Sequence, residues 1–473
     1  MPLHWHRRRR SLLGLRLLAL VAIVVLCLCA TLPYDNALRS SARFNTHQLV
    51  SFLRGPLRNE RWLYEPPAFP VDWSRDVAII LKTGYGTQER ALAWVEALPT
   101  GINPENVIIV GDFGAELATR GGMRSGLKIH DVVAKIMDET LVLCDGARCP
   151  RAEQYMNLKA AISAGEDELA RDYSRSFGWE LDAMKFIPSL ELAYRAMPDR
   201  KWFLLVDDDT YLIYPSLKFI LGHFDPSMPY YLGNAVGDYR QRFAHGGSSI
   251  ALSRATMQSL FAPANHRAVA KARRASLTEK WGDRLLADAL LRLGVFVNED
   301  ASRFFNGEQP WASRLRPDRL CAPVATFHRL STAGEMADVG RVFRDAVDPV
   351  LWVDLWEMFA LRGGRRRQDR AAGARPSVSR ATSLDESDEA APGLEGWDHV
   401  GELDEHTETF AAMKAALYCS HLCSSRKKCL AWTWDEGQKL CHLSPWVTVG
   451  REAAGLRSGL NVDRFRDLAD ECR

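Results

Sequence analysis

Apolar blocks separated by polar turns run along most of the chain, and their lengths divide it into segments. The first block is the longest: Leu12 to Leu32 is almost entirely apolar, interrupted by Gly14 and Arg16. About twenty such residues suffice to span a bilayer, and Arg16 lies near the end, where its side chain can reach the interface. His4, His6 and the run Arg7 to Arg10 precede the block, which predicts a cytoplasmic N-terminus and a lumenal remainder. Small residues at Cys27, Cys29 and Ala30 leave a cleaved signal peptide as the alternative. The run is long for such a peptide, which favours an uncleaved anchor. The reading is therefore a cytoplasmic tail at 1–11, a transmembrane signal anchor at 12–32 and a stem at 33–74, punctuated by Pro66, Pro67 and Pro70.

Beyond the stem the blocks become strand-sized. VAIILKTG (Val77 to Gly84) reads as a buried strand ending in Lys82 and Thr83, and NVIIVGD as a second ending at Asp112. Helical patterns cover Glu89 to Leu98, about 153–170 and about 180–197, with Trp179, Asp182 and Lys185 around the start of the last. Strand-like blocks recur in KWFLLVDDDTYLIY (Lys201 to Tyr214), YYLGN (Tyr230 to Asn234), FAHGGSSIALS (Phe243 to Ser253) and PVATFHRL, which carries His328. KWGDRLLADALLRLGV (Lys280 to Val295) is an amphipathic helix with Asp283 just before it, where an acid interacts well with the helix dipole. Such alternation predicts a mostly parallel sheet covered by helices, an α/β domain at 75–361. From 362 to 396 apolar residues thin out, with basic residues first and acidic ones later, the composition of a disordered linker. A small module closes the chain at 397–473: Cys419 and Cys423 lie on a helix, and CLAWTWD and CHLSPW read as strands.

Composition adds a compartment. The 473 residues carry a formal net charge of +2, which gives no general reason to expect nucleic-acid binding. Ten cysteines are present; Cys27 and Cys29 fall in the first apolar block, leaving eight. An even number, close-spaced near the C-terminus, fits a disulfide framework made in an oxidising compartment. Cys144 and Cys149 are near enough in sequence for a small-loop bond. Metal binding competes for the last four, but their x3, x5, x11 spacing fits zinc pairs poorly.

The chemistry concentrates where the strand Trp202 to Val206 stops at Asp207, Asp208 and Asp209. These carboxylates lie at a strand's C-terminal end, where open α/β sheets bind ligands. Along an extended chain Asp207 and Asp209 point to one side and Asp208 to the other, so the working pair is a D-x-D. A divalent cation offsets their repulsion, and hard oxygen ligands suit Mg²⁺ or Mn²⁺. A solvated acidic turn is the bland alternative; the buried strand before the acids favours a site. A phosphatase-type nucleophile wants Thr where Tyr211 stands, and a calcium loop would need a Gly and a distal Glu that are missing.

Taken together, WELDAMKFIP, KWFLLVDDDTYL, YLGN, FAHGGSS, GDRLLADAL and TFHRL, in this order between about Val77 and Leu330, resemble the fringe-like β1,3-glycosyltransferases, most closely their fungal branch. The module's C-x3-C-x5-C-x-A-W-T-W-x6-C-x-L pattern resembles a PAN/apple domain. The first resemblance implies a nucleotide-sugar-binding α/β fold of the GT-A type, a UDP-sugar donor and Mn²⁺. It makes Asp207 and Asp209 metal ligands with Asp209 the most direct, His328 a further ligand, and Asp283 the catalytic base. Lys82, Thr83, Asp112, Lys185 and Asp208 fall at donor-side positions, Lys185 reaching either the donor or an Asp. His245, Gly246 and Gly247 fall beside the reacting sugar, and Ser249 stands where relatives commonly have Gly, a change expected to narrow the loop. The second resemblance implies Cys419–Cys441 and Cys423–Cys429 bonds, leaving Cys321 and Cys472 to pair across domains or stay free. It also implies a protein or carbohydrate ligand for the module. Trp432, Trp434 and Trp446 read as core aromatics, with stacking on sugar rings the alternative.

The expected activity is single-displacement transfer of a sugar from UDP to a hydroxyl of a glycan or glycoprotein, inverting to a β-linkage, at a Golgi or other secretory-pathway membrane. A non-catalytic glycan- or protein-binding relative that uses the terminal module, and a phosphatase-like metal hydrolase, are the competing classes.

Overall fold

The computed structural model describes residues 31–54, 65–99, 101–117, 127–140, 149–360 and 393–472, together with Leu20, Ile23, Val24 and Cys27. The expected membrane span and linker fall almost wholly outside these residues, as does Cys144, and with it the pairing expected of Cys149. Among the described residues no helix is long and apolar enough to cross a membrane.

The apolar blocks form a seven-stranded sheet. Its strands are β1 (Val77–Lys82), β2 (Val107–Gly111), β3 (Ala115–Leu117), β4 (Leu127–Asp131), β5 (Trp202–Asp207), β6 (Tyr231–Gly233) and β7 (Ile250–Ser253), in spatial order β3-β4-β2-β1-β5-β7-β6. The central strands β4, β2, β1 and β5 are parallel. β3, β7 and β6 join antiparallel at the margins, so the sheet is mixed. β7 runs antiparallel because the chain turns back after β6 in a hairpin, with Ala235–Val236 paired to Phe243–Ala244, and no α-helix crosses over between them.

Both faces of the sheet are covered. Side chains alternate along a strand, so Val77, Ile79 and Leu81 of β1 enter one core with Trp94, Leu217 and Phe343. Ala78 and Ile80 enter the other, with Phe186, Leu190 and Leu286. The helices that frame the site are α1 (Gln88–Glu96), α2 (Asp167–Asp182), α3 (Phe186–Ala196) and α4 (Gly282–Arg292). The helix expected near 153–170 is two: Pro150–Ala164 ends at Gly165, whose φ of +75° breaks the spiral before α2 begins. The stretch expected as a stem contains a helix, Ala37–Arg54, packed on the domain. Arg43 lies 4.1 Å over the Phe296 ring and Tyr34 meets the same ring edge-on at 6.2 Å.

The terminal module is a five-stranded antiparallel sheet, β8 (Leu394–Asp398), β9 (Glu408–Phe410), β10 (Ala431–Asp435), β11 (Leu440–Ser444) and β12 (Arg451–Leu460), ordered β8-β12-β10-β11-β9. Its first strand opens inside the stretch expected as linker. Cys419–Cys441 ties the helix Ala416–Ser425 to β11, and Cys423–Cys429 ties it to the loop just before β10. Trp432, Trp434 and Trp446 are buried, as core residues. A third disulfide, Cys321–Cys472, crosses to the α/β domain. Around it Val400, Val447 and Phe465 share a core with Trp352 and Leu355. The Arg314 guanidinium stacks 4.1 Å over Trp446 and reaches Asp404 at 2.5 Å. The module is thus packed onto the domain and covalently joined to it.

Candidate active site

Three parallel strands end side by side at one edge of the sheet. In register, Lys82 lies opposite Asp207 on β5 and Val110 on β2, so Lys82, Asp112 and Asp207 converge there. Lys82 is buried and pairs with Asp207 Oδ1 at 2.8 Å and Asp182 Oδ2 at 2.7 Å, its ammonium lying 3.8 Å from the Phe186 ring centroid. Burial opposes that charge, yet the two carboxylates hold the Lys82 pKa above its ordinary value. Beside it Lys185 joins Asp112 Oδ2 at 2.9 Å and donates to the Thr83 carbonyl at 2.8 Å. Lys185 thus reaches an Asp.

The acidic run splits as an extended chain requires. Asp208 turns inward, accepting from Thr83 and Thr87 hydroxyls at 2.7 and 2.6 Å and meeting Arg90 at 2.9 Å. Burial pushes its pKa up to about 6. Asp208 and Thr83, both expected on the donor side, bond to each other within the wall of the site. Asp207 and Asp209 face the other way, toward His328, whose Nε2 is 3.3 Å from Asp209 Oδ1. One ligand atom from each of Asp207, Asp209 and His328 lies within 4.8 Å of the others. Burial resists ionisation of Asp209, but His328 and Arg90 hold its pKa below the usual carboxylate value.

His328 can approach because of a glycine: a Cβ on Gly247 would lie 2.3 Å from its ring. Two carboxylates and an imidazole, closely spaced and only partly exposed, form a donor set that fits a divalent ion such as Mn²⁺. His245 sits next to this set, its ring 5.3 Å from that of His328 and its Nδ1 2.9 Å from Ser248 Oγ. Burial, then the neighbouring His328, lowers its pKa to about 4.

Asp283 approaches from α4. Its Oδ2 accepts from Gly246 N at 2.9 Å and its Oδ1 from Arg284 N at 2.8 Å. It is the second residue of the helix rather than the residue before it. Burial raises its pKa against those two bonds and Lys82, and Asp207 adds to the rise. Gly282 allows the close packing, since a Cβ there would lie 2.4 Å from Phe186. Ser249 does not narrow the loop as expected. Its hydroxyl turns down to the Leu205 carbonyl at 3.1 Å, at the cost of a φ of +70° that favours glycine.

Some participants carried little signal in the sequence. Arg90, which meets both Asp208 and Asp209, is one arginine on an amphipathic helix. Asp182 was legible in principle, because it lies one helical turn before Lys185. The segment at 306–308 contributes the Gly307 carbonyl 3.3 Å from His328 Nδ1, and Glu308 O accepts from His328 N; nothing local marks it.

Residues 182–359 match the Fringe-like family model, and residues 399–463 match the PAN domain. The first match takes in the acidic run, the glycine loop, Asp283 and His328. It begins after Lys82 and Asp112, which the sheet register brings to the same edge.

Proposed function

From a chain that carries a Fringe-like domain followed by a PAN domain, and so a glycosyltransferase-type region, we propose an inverting, metal-dependent transferase. It moves a sugar from a UDP-sugar to an acceptor hydroxyl on a glycan or glycoprotein, forming a β1,3 linkage. The observation that carries this reading is the meeting of Asp207, Asp209 and His328 at the end of the parallel strands, with buried Asp283 across the glycine loop. On this reading the domain is of the GT-A type.

Asp207, Asp209 and His328 hold Mn²⁺ or Mg²⁺, which when bound neutralises charge on the diphosphate. Asp283 takes the proton from the acceptor hydroxyl as that oxygen bonds to the anomeric carbon from the face opposite UDP. The bond from that carbon to the diphosphate oxygen breaks, and UDP keeps its electron pair. A carboxylate is a weak base in water, and the burial that raises the Asp283 pKa improves it. General-base help of this kind is worth about 10²–10⁴-fold; positioning supplies much of the remainder. Lys82, buried and paired with the half-buried Asp207, and Lys185, paired with the buried Asp112, act by fixing the strand ends. The 12–32 span holds the enzyme in a Golgi or other secretory-pathway membrane with the catalytic region lumenal, where its disulfides can form. The PAN module offers a protein or carbohydrate contact.

The test is UDP release from a panel of UDP-sugars with Mn²⁺, using wild type, Asp209→Ala and Asp283→Asn. Release by wild type alone, abolished by EDTA, supports the proposal. Metal-dependent UDP binding with no release against many acceptors refutes the enzyme and favours a binding protein, and no metal-dependent binding refutes the metal site.

A further inference from the structure

Trp179 and Trp281 are 52% and 48% exposed, and they are the only exposed tryptophans among the described residues. They are not scattered. Their ring centroids lie 6.1 Å apart with the planes at 48°, and the Lys280 ammonium lies 5.8 and 5.2 Å from the two rings. This open aromatic angle lies on the two helices that carry Asp283 and Asp182. Trp281 caps α4 two residues before Asp283. Trp179 lies on α2, one turn before Asp182, the partner of Lys82. The two elements meet where a Cβ on Gly282 would come within 2.8 Å of the Ala183 backbone and 2.4 Å of Phe186. Phe186 also touches Gly246, the residue whose N–H binds Asp283.

Large exposed apolar surface of this kind marks a binding site. Here the chemistry names the occupant. The C–H face of a pyranose is apolar and packs on aromatic rings, while its hydroxyls need polar partners such as an ammonium. We propose that Trp179 and Trp281 form the platform for the acceptor sugar, with Lys280 donating to its hydroxyls and the reactive hydroxyl directed at Asp283. The proposal rests on the transferase reading of Asp283. It assigns the acceptor a pyranose ring at the point of attack, rather than a bare Ser or Thr side chain.

Saturation-transfer NMR with methyl β-lactoside and the methyl glycosides of the common hexoses, fucose and N-acetylhexosamines tests it on wild type, Trp179→Ala, Trp281→Ala and Trp281→Phe. Phe52→Ala, an exposed aromatic on the N-terminal helix, is the control. Saturation of ring protons of at least one glycoside is expected, lost in both alanine variants and retained in Trp281→Phe and Phe52→Ala. The acceptor KM of each alanine variant is expected to rise roughly tenfold, the upper end of one aromatic contact. Equal saturation in wild type and both alanine variants, or none with any glycoside in the presence of UDP and Mn²⁺, overturns the platform. Calorimetry of UDP with Mn²⁺ on the same samples separates the two readings. Tryptophan-dependent sugar contact without UDP binding refutes the transferase and keeps the platform, and UDP binding without that contact refutes the platform alone.

Discussion

Lys185→Met decides whether the cluster behind the acidic run is a buried clamp or a donor contact. The Lys185 and Asp112 side chains are 3% and 0% exposed and 2.9 Å apart. At an effective dielectric of about 20, opposite charges at that distance attract by roughly 6 kcal/mol, and desolvation of the two ions offsets most of this. The pair as a unit therefore contributes little, but an ion left alone is costly. Burial opposes the Lys185 charge, while Asp112 and Asp182 hold its pKa above the ordinary lysine value, so it is charged across the neutral range. With Lys185 gone, Asp112 keeps the Tyr85 N–H at 3.1 Å, and the Thr83 carbonyl loses its ammonium. The expected cost is about 3–5 kcal/mol of unfolding free energy. Adding Asp112→Asn removes the stranded charge and is expected to recover about 1–3 kcal/mol through the coupling of the pair. Urea unfolding of the wild type, both single variants and the double variant measures this. A single variant within about 1 kcal/mol of wild type, or strict additivity, refutes the clamp. A loss of UDP affinity at unchanged stability would make Lys185 a donor contact instead.

Asp283 must be ionised to act as the base, and its pKa is raised by burial and by Asp207. The rate is therefore expected to fall as pH drops through a value above the ordinary carboxylate pKa, and Asp283→Asn to lower kcat by about 10²–10⁴-fold and remove that limb of the pH–rate profile. His399, in the interface between module and domain, has its pKa lowered by burial from 6.5 to about 4. Its neutral form contributes stability that is full above the unfolded pKa and is lost as pH falls through the folded one. The loss is about 3 kcal/mol, read from unfolding midpoints between pH 7 and 4 and flattened in His399→Gln. Replacing both Cys321 and Cys472 with Ser opens a loop spanning 151 residues of sequence separation. The chain-entropy model expects this to cost about 5 kcal/mol, seen as a lower melting temperature than wild type under non-reducing conditions and no difference after reduction.

What could be read from the sequence is what short-range physics determines. β1 and β5 are visible because a doubly covered strand must be apolar at every position, and both are apolar up to Lys82 and Asp207. The opposite facing of Asp208 and its neighbours follows from the pleat alone. Asp283 is visible as an acid at a helix start. The partners that give these groups their character were not visible, because they are distant in sequence and chosen by packing. Thr87 finds Asp208 across 121 positions, and Lys82 finds Asp182 across 100. The stem shows the same limit, since nothing in Ala37–Arg54 announces that Phe296 waits for Arg43. The Cys321–Cys472 pairing was left open for this reason too: a lone cysteine at each end says nothing until the core around Val447 and Trp352 brings the chain segments together. Ser249 marks where local rules mislead. A serine in place of glycine predicts a bulkier loop, but the backbone keeps a glycine-like φ and the hydroxyl is turned onto the sheet. At that position the substitution stores strain under the loop instead of filling the space beside His245, Gly246 and Gly247.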